Sequence, residues 1–78
     1  MNQTVTRAEH LAWCKERALE YCARGEVQGA LMSMISDLGK HPETDPAKEM
    51  AMTLGMSLFM NGHLSDQTKM AHFINGFR

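Results

Sequence analysis

Between Met50 and Met60 the chain reads Met-Ala-Met-Thr-Leu-Gly-Met-Ser-Leu-Phe-Met, eleven residues without a charge. At 3.6 residues per turn this is a helix with two apolar faces. Ala47, Met50, Ala51, Leu54 and Leu58 fall on one face, and Met52, Met56, Phe59 and Met60 fall on nearly the opposite side. Thr53 and Ser57 lie on one flank between them, Lys48 and Gly55 on the other. A helix apolar on two sides must be covered on two sides. The chain has 78 residues, and so short a polypeptide leaves a large share of its surface in water, which makes its core thin. One face can lie on the rest of the chain. The second needs either the last helix, through Phe73, Ile74 and Phe77, or another molecule.

The surrounding sequence predicts three more helices. Thr6-Arg7-Ala8-Glu9 has the capping-box pattern, and a helix over about 7–24 follows, ended by Gly25. Its apolar side carries Ala8, Leu11, Cys14, Ala18, Leu19, Tyr21 and Cys22. Trp13 stands among the charged residues of the other side. A second helix over about 26–38 sets Val27, Ala30, Leu31, Met34, Ile35 and Leu38 in one stripe. Lys40 to Asp45 contains proline and turn formers without periodicity and reads as an exposed, poorly ordered loop. Asp45-Pro46 reads as an N-cap followed by proline in the first turn, opening the third helix over about 46–61, which Gly62 stops. A short last helix over about 65–75 presents Met70, Phe73 and Ile74 on one side, with Phe77 just beyond. The expectation is an all-α, four-helix domain spanning residues 1–78: an α-hairpin followed by a second, looser one.

Eight Lys and Arg residues against nine Asp and Glu, spread without a basic cluster, argue against a nucleic-acid surface built on phosphate neutralisation. No apolar run approaches a membrane span and no leader-like start is visible. Cys14 and Cys22 lie eight residues apart on one helix, roughly 12 Å along its axis, too far for a disulfide. A reducing cytoplasm is the expected setting.

Two likenesses accompany these patterns. Ala18, Tyr21, Ala30, Met34 and Pro42 fall at the small, aromatic, small, bulky and proline positions of one tetratricopeptide unit, which this hairpin resembles. Arg17 and Asp37 stand where that pattern has apolar or small residues. A single unit cannot bury its own face, so the likeness implies hairpin packing and not a solenoid. Over nearly the whole chain, Arg7-Ala8-Glu9-His10-Leu11, Trp13-Cys14-Lys15, Ala18-Leu19-Glu20-Tyr21, Ser36-Asp37-Leu38, Lys40-His41-Pro42-Glu43-Thr44, Gly62-His63-Leu64-Ser65, Phe73-Ile74 and Gly76-Phe77 resemble short proteins encoded by bacteriophages and prophages. That resemblance implies the cytoplasm of a bacterial host and carries over no catalytic or binding residue.

The chemistry-bearing residues are few. His10 and Cys14 share one side of the first helix at i, i+4. A core cysteine beside a surface histidine explains them more simply than a zinc pair or a nucleophile and base. No enzyme, cofactor or metal centre is expected. The candidate interface is Met52, Met56, Phe59 and Met60, with Trp13 and Arg17 as a second anchor. The bland alternative for Trp13 is that it caps the edge of the core or lies under Arg17 as a cation–π pair. The expected function is non-catalytic protein binding, to a second copy as a homodimer or to a bacterial host protein whose activity is modulated. Two alternatives are a binder of a nucleotide-like or apolar small ligand, contacted by Lys15, Arg17 and Lys48, and a structural or chaperone-like virion component.

Overall fold

A computed structural model of the chain describes residues 5–78. It is all-α, with α1 Arg7–Ala23, α2 Val27–Leu38, α3 Asp45–Met60 and α4 Gln67–Asn75. The expected domain also includes residues 1–4, which lie outside the described part.

Local chemistry sets the helix ends. Thr6 Oγ1 accepts from the Glu9 N–H, and Glu9 Oε1 accepts from the Thr6 N–H, both at 3.1 Å, closing the capping box. At the other end Gly25 takes φ +81°, the left-handed region where a side chain is strained. That turn lets the Gly25 N–H donate to the Cys22 carbonyl and the Glu26 N–H to the Tyr21 carbonyl. Gly62, at φ +80°, repeats the arrangement after α3, with bonds from Gly62 to Phe59 and from His63 to Leu58. Asp66 Oδ1 caps α4 by accepting from the Lys69 N–H at 2.8 Å.

The α2–α3 connection differs from expectation. His41 and Thr44 are buried. The Thr44 hydroxyl donates to the Leu38 carbonyl at 2.7 Å, satisfying an acceptor that α2 leaves free at its end. His41 Nε2 donates to the Val5 carbonyl at 2.7 Å, and His41 Nδ1 accepts from the Glu43 N–H. Residues 40–44 therefore fold back over the hairpin. α3 begins at Asp45, one residue earlier than expected, and Thr44 is its N-cap.

Most of the core comes from three helices. Cys14 and Ala18 of α1, Leu31, Met34 and Leu38 of α2, and Met70 and Ile74 of α4 have no exposed surface. α1 and α2 form the main hairpin. α4 lies across α1, the Gln67 side chain donating to the Cys22 and Ala23 carbonyls while Lys15 Nζ donates to the carbonyls of Asn75 and Phe77. The backbone of α3 comes close to α2 only, and α4 reaches it through the Phe73 side chain, so the second hairpin is splayed. To the buried interior α3 contributes Ala51 and Gly55.

Candidate interaction surface

The orientation of α3 follows from its smallest residues. A Cβ on Gly55 would stand 2.7 Å from Leu31 Cδ1 and 3.4 Å from Phe73 Cζ, so the backbone lies directly on α2 with the Phe73 ring reaching across from α4. The buried stripe is therefore Ala51 and Gly55, with Lys48 on the same side running along Gly39. This corrects the helical-wheel assignment, which made Lys48 and Gly55 a flank. The inward side joins that flank to Ala47, Ala51 and Leu58 of the first face and Phe59 of the second. Met50 and Leu54 on one side, and Met52, Met56 and Met60 on the other, point into solvent.

Their exposure is substantial. Met52, Met56 and Met60 are 45%, 37% and 80% exposed on one side; Met50 and Leu54 are 53% and 47% exposed on the other. Phe59, expected among the interface residues, is half-buried with its ring against the core edge. The other expected arrangement, α4 covering the Met52 side through Phe73, Ile74 and Phe77, does not form. Ile74 and Phe77 are in the core, and Phe73 borders the opposite side. There, Met50, Leu54, Phe73, Phe77 and Arg78 line a shallow groove of about 360 Å³.

Trp13 sits elsewhere. Its ring is half-buried, stacked on the fully buried His10 ring at 5.4 Å, with the Arg17 guanidinium 4.8 Å and the Lys40 ammonium 5.6 Å from its centroid. Both cations also bind Asp37, whose side chain is only 2% exposed, with Arg17 Nε 2.7 Å from Oδ2 and Lys40 Nζ 2.9 Å from Oδ1. A carboxylate taken this far from water needs such partners. The hydrogen bond to Asp37 holds the Arg17 guanidinium above its ordinary pKa. His10 Nε2 donates to the Asp37 carbonyl at 2.7 Å, and the His41 ring stacks on the other side of His10 at 5.2 Å. Trp13 is thus the lid of a polar knot joining α1, α2 and the loop after it. The cation–π alternative for Trp13 and Arg17 is the one the geometry contains. α1 and α3 do not pack together, so Trp13 and Arg17 are not brought to the methionine crest.

Sequence reasoning placed His10 on the surface and left Asp37 without a role. The signal for Asp37 was present: Arg17 and Asp37 are the two departures from the repeat pattern, and they pair with each other.

The remaining candidates have little reactive character. Burial, with the Asp37 carboxylate second, pushes the Cys14 thiol from 9.0 to about 11, so it holds its proton at neutral pH. Cys22 is raised by burial too, and its thiol donates to the Gln67 carbonyl at 3.0 Å. Among the described residues no group of three or more His, Cys, Asp or Glu side chains is placed to hold a metal ion, and no helix is long and apolar enough to cross a membrane. No protein-family model matches the chain, and neither a curated protein nor a solved structure matches it.

Proposed function

We propose that this is a non-catalytic accessory protein that works by docking the outer side of α3, through Met52, Met56 and Met60, against another protein. The partner is either a second copy of the chain or a bacterial host protein that the docking modulates. The likeness to short phage proteins supports the host setting. One observation carries the reading: three methionines at i, i+4 and i+8 stand uncovered on a helix seated by an alanine and a glycine. The spacing is that of an amphipathic helix lying in an apolar groove. Unbranched thioethers suit it, because they re-pack against irregular partners.

The test compares the wild-type chain with Met56→Glu. Sedimentation of the wild type is expected to give a mass above the 8.8 kDa monomer, or affinity capture to retain a bacterial protein at moderate salt. The glutamate variant is expected to remain folded and lose both. If Met56→Glu leaves mass, solubility and every interaction unchanged, the docking surface is wrong.

A second reading rests on the groove beside Met50, Leu54 and Phe73, which would take an apolar small molecule. The basic residues first considered for a nucleotide-like ligand are dispersed. Lys15 binds carbonyls at the end of α4, Arg17 binds Asp37, and Lys48 runs along Gly39. A melting temperature raised by an apolar ligand alone, and unaffected by Met56→Glu, separates this reading from the first.

A further inference from the structure

The sulfur in this chain is sorted by depth. Met34 and Met70 are fully buried, whereas Met32, Met50, Met52, Met56 and Met60 are exposed, four of them on α3. Both thiols, ordinarily the first sulfur groups an oxidant meets, are buried at Cys14 and Cys22. Among the described residues the accessible sulfur is therefore the thioether of Met32 on α2 and the four on α3. The buried stripe of α3 is Ala51 and Gly55, which contain none, with Gly55 lying on Leu31.

We propose that Met52, Met56 and Met60 form a modification site at which a peroxide-class oxidant turns the apolar crest of α3 polar while leaving the fold intact. The Sδ lone pair attacks one peroxide oxygen, the O–O bond breaks, an S–O bond forms and water leaves. Sulfur loses the two electrons that the peroxide gains. A dithiol reductant acting through a methionine sulfoxide reductase reverses the step, giving thioether, disulfide and water. Each sulfoxide is a strong hydrogen-bond acceptor, and burying it unpaired in an apolar interface is unfavourable. Because the three side chains follow one another at single-turn spacing, oxidation at any of them puts a polar group inside the docking face. The regulatory consequence rests on the docking reading above; the chemistry and its confinement to exposed thioethers do not.

The experiment treats the full chain with graded hydrogen peroxide. It reads oxygen uptake by peptide mass mapping, helicity by circular dichroism, surface apolarity by retention on a phenyl column, and mass by sedimentation. Met52, Met56 and Met60, together with Met32 and Met50, are expected to gain one oxygen each about tenfold or more faster than Met34 and Met70. Helicity is expected to persist while retention falls. A Met52→Leu/Met56→Leu/Met60→Leu variant is expected to keep most of its retention under peroxide. The proposal is overturned if Met34 or Met70 oxidises in step with the crest, if helicity falls in proportion to oxidation, or if the leucine variant loses retention as the wild type does. A wild type that binds nothing and stays monomeric before and after peroxide sinks the docking reading, while the mass map and the retention still decide the modification site.

Discussion

Asp37 brings a carboxylate into the seam between α1 and α2, and its neighbours make the charge tolerable. Arg17 and Lys40 hold one oxygen each, and Trp13 roofs both cations. Its field reaches Cys14, where it adds to burial in raising the thiol to about 11 from 9.0. The folded chain therefore holds that proton more tightly than the unfolded chain does. The associated stability is intact below pH 9.0 and is lost as the pH climbs toward about 11. Chemical denaturation at stepped alkaline pH is expected to show this decline in the wild type and a shallower one in Cys14→Ala. Equal slopes in the two proteins would mean that the thiol does not carry the effect. At neutral pH Cys14 is expected to resist thiol reagents until the protein is unfolded. These couplings were hidden in the sequence because a helical wheel sorts residues by polarity. His10 and Asp37 are polar side chains on buried positions, made tolerable by partners from other segments.

At the level of the helices, ends were more legible than orientations. The Thr6–Glu9 box and the glycines at 25 and 62 act through bonds within a few residues, so local sequence suffices to place them. The loop after α2 was misread because its order comes from Thr44 reaching back to Leu38 and His41 reaching Val5, contacts that composition does not announce. The seating of α3 was missed for a different reason. Two apolar faces gave the wheel two inward solutions, and close approach to α2 selected the border of the first face, where Ala51 meets Gly55 and the side chains are smallest. Gly55→Val tests that seating directly. Its branched side chain enters the space of Leu31 Cδ1, which has no free room because Leu31 is fully buried. The overpacking is expected to cost about 1–3 kcal/mol, measured by urea denaturation. Gly55→Ala is expected to be milder, since better helix propensity, worth up to about 1 kcal/mol, offsets part of the overlap. A stabilised valine variant would show that α3 lies farther from α2 than described.

Across the whole molecule, α1, α2 and α4 make one packed unit and α3 rides on its side. The radius of gyration is 11.7 Å, close to the roughly 11.5 Å of a compact chain of this length. Contacts within one chain build this structure, and the proposed docking would add to it. Hydrogen exchange is expected to follow this division. The amides of α3 should open at lower free energy than those of α1, α2 and α4, because α3 buries little apolar surface of its own. Protection of α3 equal to that of α2 would contradict the division. The seating through Ala51 and Gly55 also separates two kinds of selection within one helix. Substitution at 55 disturbs the fit to Leu31 and at 51 enters a fully buried position, whereas 52, 56 and 60 can be rewritten at little folding cost. One side of α3 is thereby free to drift toward new recognition specificities while the other stays fixed, making the chain a ready scaffold for grafted binding determinants.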